Sequence, residues 1–185
     1  MSSHQINEAV RILQHGGVIA YPTEAVYGLG CDPANHQAVE RLLAIKQRSW
    51  EKGLILLAAD FQQLHSYLAE IEPALKASVL ATWPGPVTWL WPTKPAVSQL
   101  LRGIHETIAV RVTAHPLAAA LCRAFGGPVV STSANLSGKL PIRTAEEVRV
   151  QLGDQLDYVL EGQVGELARP SEIRDVLSGK IIRQA

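Results

Sequence analysis

The chain has 185 residues, 47% of them hydrophobic and 18% charged, a balance that excludes intrinsic disorder. A chain of this length forms one domain, here taken as 1–185, that buries roughly 70% of its unfolded surface without covalent staples. Seventeen basic residues cancel 17 acidic ones, so the net charge of zero argues against bulk coating of nucleic acid while still permitting a local basic face.

At the N-terminus, 1–7 lacks a basic region followed by an apolar one, so secretion is not expected and a cytoplasmic location is. Ala9, Val10 and Leu13 share one face of a helix over 7–13, which Gly16-Gly17 ends before a strand at 18–21. In the segment Tyr21-Pro22-Thr23-Glu24-Ala25-Val26-Tyr27-Gly28-Leu29-Gly30, Pro22 stops the ladder. The two glycines allow an unusual backbone path beside Thr23, Glu24 and Tyr27. Gly28-x-Gly30 lacks the third glycine of a dinucleotide fingerprint, and no Gly-x4-Gly-Lys-Ser/Thr loop occurs.

Val39, Leu42, Leu43 and Ile45 mark the next amphipathic helix, and 54–58 a buried strand too short to span a bilayer, so no membrane partner is expected. Between them lies Lys46-Gln47-Arg48-Ser49-Trp50-Glu51-Lys52-Gly53. Its three cations either clamp a polyphosphate, with Arg as a fork and Lys as a point charge, or form a solvated helix C-terminus favoured by the macrodipole.

Further along, the pattern predicts a helix at 72–81, strands at 87–91 and 107–112, a helix at 116–125, a strand at 129–131 and a helix at 145–152. A strand at 158–160 and a C-terminal pair at 173–177 and 181–183 follow, with 164–170 reading as a mobile loop. Arg111 interrupts the apolar run Ile108-Ala109-Val110-Arg111-Val112. It either faces a ligand or partner, or points outward by strand alternation. Ser131-Thr132-Ser133-Ala134-Asn135-Leu136-Ser137-Gly138 then reads as a strand end opening into a loop. It either holds an anionic ligand, as strand ends of open α/β sheets do, or is a serine-rich turn. Cys31 and Cys122 lack metal-ligand spacing and read as buried free thiols of a reducing compartment, so no protein-held metal is expected. The alternation of elements makes the class α/β, with a twisted mixed sheet flanked by helices.

Six ordered motifs together resemble the YrdC/TsaC family of threonylcarbamoyl-AMP synthases over about 16–183, in its short single-domain form. They are Tyr-Pro-Thr-Glu-x-Val-Tyr-Gly-Leu-Gly at 21–30, Lys-x-Arg at 46–48, Trp-Pro-Gly-Pro-Val-Thr at 83–88, Ala-Val-Arg-Val at 109–112, Ser-Thr-Ser-Ala-Asn-x-Ser-Gly at 131–138 and Pro-Ser-x-Ile-x-Asp at 170–175. The resemblance implies a YrdC-like fold, a mostly parallel open sheet around a large concave cavity. It also implies a reaction: L-threonine, bicarbonate or CO2, and ATP give threonylcarbamoyl-adenylate and pyrophosphate. A downstream transferase complex would use the product to make N6-threonylcarbamoyladenosine in tRNAs reading ANN codons.

By the same likeness Lys46, Arg48 and Arg111 would be catalytic. Lys46, Arg48 and Lys52 would hold the phosphates, helped by Ser133, Asn135 and Ser137, with Mg2+ bridging phosphate oxygens. Arg111 would meet the threonine carboxylate or the carbamate, the Thr23 region would line the amino-acid pocket, and Arg183 would close the nucleotide site. Ser131, Arg143 and Ser171 are further binding candidates. The chain departs from many relatives at Ala25, at Lys52-Gly53-Leu54 and at Leu57, so no threonine contact is carried over to Ala25 or Leu57. The rival reading is a module binding tRNA or double-stranded RNA, with Lys46 to Lys52, Arg111, Lys139 and Arg143 on phosphates.

Overall fold

The computed structural model describes residues 3–136 and 139–184. Among these, nine strands join in one sheet: β1 (Ile19–Pro22), β2 (Tyr27–Gly30), β3 (Ile55–Ala58), β4 (Val87–Pro92), β5 (Thr107–Val112), β6 (Val129–Ser133), β7 (Tyr158–Val159), β8 (Glu172–Asp175) and β9 (Ile181–Arg183). Their order is β7-β1-β2-β6-β3-β5-β4-β8-β9. The α-helices are α1 (Ser3–Gln14), α2 (His36–Ile45), α3 (Pro73–Leu80), α4 (Gln99–Arg102), α5 (Pro116–Phe125) and α6 (Ala145–Leu152).

The mixed sheet is as expected, but it is not mostly parallel. β1–β7, β3–β5 and β4–β8 run parallel, and the other five neighbouring pairs are antiparallel. The cause is connection length. β1–β2 and β8–β9 are tight reversals, and β4 returns to β5 through a link whose one α-helix, α4, is a single turn, without the longer helix that usually carries a parallel crossover. The strand β2 and the helix α4 escape sequence reading because Tyr27–Gly30 carries two glycines and Gln99–Arg102 is one turn long.

The irregular path expected after Pro22 is a hairpin. Pro22 is the last residue of β1 and pairs with Tyr27, whose carbonyl accepts instead from the Ala134 N–H at 2.8 Å. The proline's missing donor therefore leaves no acceptor stranded there.

Caps fix the helices that support the site. Asn35 Oδ1 accepts from the Ala38 N–H at 3.1 Å to start α2, and Thr144 with Glu147 forms a capping box on α6. Pro116 opens α5, and Gly126, at φ 84°, closes it.

The two sheet faces differ in their covering. One face, including Leu56, Val110, Val130 and Leu29, packs in a single core with Val39 and Leu42 of α2 and Val148 of α6. On the other, α1 and α5 cover Ile19, Tyr21, Leu57 and Val129 with Ala9, Leu13, Leu117 and Leu121. Each fully buried Leu or Ile there contributes about 1.5–3 kcal/mol. That helical layer stops short, and the residues beyond it on the same face, Ile55, Ala109, Arg111 and Ser131, line a cavity.

Candidate functional site

The cavity measures about 350 Å³. Its floor is built by strand alternation: Leu90 of β4, Thr107, Ala109 and Arg111 of β5, Ile55 of β3, Ser131 and Ser133 of β6 and Ile173 of β8. Register places Ile55 beside Ala109 on one side and Ser131 on the other, with Leu90 beyond Ala109. Ser131 and Ser133 thus lie on the sheet's face and not in a loop past its end. β6 runs two residues further than expected because Thr132 and Ser133 pair with Leu29 and Gly28 of β2.

One wall comes from the turn after α2. Gln47 adopts φ 49°, its N–H donates to the Ala44 carbonyl, and the Arg48 N–H donates to the Leu43 carbonyl, both at 3.0 Å. This is a Schellman closure with glutamine in the left-handed position. It turns Arg48 into the cavity, where Nη2 donates to the Gly53 carbonyl at 3.0 Å and Nε is buried without a hydrogen-bond partner. Burial holds the Arg48 guanidinium below its ordinary pKa. Lys52 stands at the exposed rim.

Lys46 takes a different path. Its ammonium is buried behind the wall and donates to the carbonyl of Asn135, tying the end of α2 to the turn after β6. Burial, reinforced by Arg48, pushes its pKa down to about 8. The Asn135 amide donates to the Leu136 carbonyl at 3.1 Å and the Lys139 carbonyl at 2.8 Å, closing that turn. Neither Lys46 nor Asn135 lines the cavity, and Ser137 lies outside the described residues.

The in-strand Arg111 faces inward. Its Nη2 lies 3.3 Å from Glu24 Oε2, an ion pair without hydrogen-bond geometry, so Arg111 Nε and Glu24 Oε2 stay buried with no hydrogen-bond partner. Glu24 Oε1 accepts from Thr113 Oγ1 at 2.7 Å and from the Ala114 N–H at 3.1 Å. Burial alone would raise the Glu24 pKa; Arg111 and these donors outweigh it, and the carboxylate sits below its ordinary value. Sequence reading left Glu24 out of the site. Its signal was a carboxylate at the hairpin turn and a lone arginine inside an apolar strand, a pair separated too far in sequence for any spacing rule to join.

Thr23 lines the cavity, but its hydroxyl donates to the Val26 carbonyl at 2.7 Å and so shapes the hairpin. Ser171, just before β8, has its Oγ 2.8 Å from Thr88 Oγ1 and its carbonyl 2.7 Å from Arg183 Nη2. Arg183 lines the cavity from β9, and burial first, then Arg111 and Arg48, lower its pKa. Arg143 stays outside. It donates to the carbonyls of Leu167 (3.1 Å) and Gly165 (3.3 Å), whose own N–H groups donate to Glu24 and Thr23 carbonyls. The stretch 164–170, expected to be mobile, is therefore a strap pinned on the hairpin turn.

Of the candidates, Thr23, Arg48, Lys52, Arg111, Ser131, Ser133, Ser171 and Arg183 meet in one cavity. Arg48, Arg111 and Arg183, with Arg102 also in the lining, an ammonium at the rim and serine hydroxyls on the floor suit a polyanion, while Leu54, Ile55, Leu90 and Leu101 supply an apolar surface. Among the described residues no group of three or more His, Cys, Asp or Glu could hold a metal ion, and no helix is long and apolar enough to cross a membrane.

Residues 11–185 match the family model Sua5/YciO/YrdC, described as "Telomere recombination". A threonylcarbamoyl-AMP synthase of Coxiella burnetii (strain RSA 493 / Nine Mile phase I) is 51% identical over 181 residues, covering 98% of this chain and 97% of its own. The structure of P. abyssi Sua5 complexed with L-threonine superposes with a TM-score of 0.92 at 29% identity, over 99% of this chain and 54% of that longer one. E. coli YciO superposes at 0.83 with 32% identity, over 94% of this chain and 84% of that one.

Proposed function

The chain belongs to the Sua5/YciO/YrdC family, and on that premise we propose that it makes threonylcarbamoyl-AMP from L-threonine, bicarbonate or CO2, and ATP. The observation that carries this reading is the convergence of Arg48, Arg111 and Arg183 on one cavity whose floor is serine hydroxyls and apolar side chains. A triphosphate needs such cations, and a base and an amino-acid side chain need the apolar part.

The threonine amine adds to CO2, giving a carbamate and a proton released to solvent. A carbamate oxygen then attacks the α-phosphorus of ATP, the bond to the β-phosphate breaks, and pyrophosphate leaves. Arg48 and Arg183, with Lys52 at the rim, stabilise charge on the phosphates, and Ser131 and Ser133 add donors. Arg111, held by Glu24, faces the carboxylate or carbamate, and the hairpin turn at Thr23 lines the amino-acid end. Lys46 and Asn135 support the site by holding α2 against the turn after β6. None of the residues given a role above serves as a dedicated base, so holding the two reactants together supplies much of the acceleration.

The donor set does not fit a resident Mg2+, since the one lining carboxylate among the described residues, Glu24, is engaged by Arg111, Thr113 and Ala114. Mg2+ enters as MgATP, ligated by phosphate oxygens. The mixed anhydride is labile in water, so a transferase acting on tRNA adenosine consumes it downstream. The buried free thiols of Cys31 and Cys122 accord with a cytoplasmic enzyme. Direct binding of tRNA is not favoured by the site, because its guanidiniums point into the cavity and Arg143 is engaged by the strap.

Pyrophosphate release tests this reading. We expect it to require threonine and bicarbonate, to fall sharply with serine, and to drop about 100-fold or more in Arg48→Ala without loss of the folded state. Release indifferent to threonine would overturn it.

A further inference from the structure

The motif Trp-Pro-Gly-Pro-Val-Thr at 83–88 sends only Pro86 to the cavity lining. Its last residue, Thr88, is fully buried in β4. A hydroxyl there is costly unless bonded, and its partner is Ser171 Oγ at 2.8 Å. The parallel pairing of β4 with β8, Thr88 beside Ile173, brings the two hydroxyls together.

Ser171 in turn grips Arg183. Its carbonyl accepts from Nη2 at 2.7 Å and from Nε at 3.3 Å, and its Oγ lies 3.5 Å from Nη2. Arg183 needs that grip. It comes from β9, whose three residues are exposed at the sheet edge beside a register irregularity at Ile173/Arg174. It also shares the cavity with Arg48 and Arg111, whose like charges repel it.

We propose that Thr88 is a positioning residue: its hydroxyl fixes Ser171, and Ser171 holds the Arg183 guanidinium in the cavity against Arg48 and Arg111. This rests on the reading of the cavity as an ATP-using site, in which Arg183 lies on the phosphates. The motif at 83–88 thereby gains a role without touching substrate.

Two readouts test it. The first is kinetic. Thr88→Val raises KM for ATP about tenfold with kcat changed less than about threefold, the scale of one lost hydrogen bond. Thr88→Ser restores the wild-type KM, Ser171→Ala moves it in the same direction as Thr88→Val, and Thr88→Val adds nothing in an Arg183→Lys background. The second is independent of activity. The Nε–H of Arg183, seen by 15N NMR in the free protein, exchanges with water several-fold faster in Thr88→Val and not in Thr88→Ser. Additive kinetic effects of Thr88→Val and Arg183→Lys, or an unmoved Arg183 signal, overturn the proposal. A moved signal in a protein that releases no pyrophosphate upholds the positioning and overturns the nucleotide reading instead. Should Thr88→Val not fold, Ser171→Ala carries both readouts.

Discussion

Glu24 shows how one residue organises the cavity. Its carboxylate meets Thr113, the Ala114 amide and Arg111, a buried pair whose loss on one side leaves an uncompensated charge. Glu24→Gln is expected to cost about 3 kcal/mol at pH 7, measured by urea unfolding. Because the folded pKa of Glu24 lies below its ordinary value, the stability it contributes is present above the ordinary carboxylate range. It is lost as pH falls through the folded value. The wild type should therefore converge on Glu24→Gln in acid, and a gap that widens there would contradict the ionised pair. Lys46 is the reverse case, a cation legible in the sequence whose engagement with Asn135 only the fold reveals.

At the scale of elements, the strap carries a sharper expectation. A Cβ on Gly165 would lie 2.5 Å from the Glu24 carbonyl oxygen. Gly165→Ala should cost about 2 kcal/mol and raise KM for threonine, since it lifts the strap from the turn that aims Glu24 at Arg111. An unchanged stability would show that the strap yields freely. The strap was invisible in sequence because it is held through its own backbone groups, bonded to the hairpin turn and to the Arg143 side chain, with nothing periodic in 164–170. By contrast α5, α6, β5 and β9 have the bounds that hydrophobic spacing predicts, and α2 is found from Val39, Leu42, Leu43 and Ile45. Those elements bury a regular face, which period alone reveals. The extension of β6 through Ser133 was not legible, because polar residues on a cavity floor break the apolar run that marks a strand.

Across the whole molecule, the decisive asymmetry is a sheet face only half covered by α1 and α5. The site candidates were legible as motifs, yet their meeting place depends on pairing order, which no local pattern contains. The uncovered half also means that the fold does not need the cavity open. Ala109→Leu, at the centre of the floor, should leave the melting temperature unchanged or raised while lowering product formation at least about tenfold. A parallel loss of both would make Ala109 a packing residue.

The most direct measurement is the mass of the product. With 13C-bicarbonate, L-threonine and MgATP, the wild-type protein should yield an adenylate that carries both threonine and the labelled carbon, in equal amount to the pyrophosphate released. An adenylate without the label, or ATP cleaved with no threonine-containing product, would contradict the proposed synthesis.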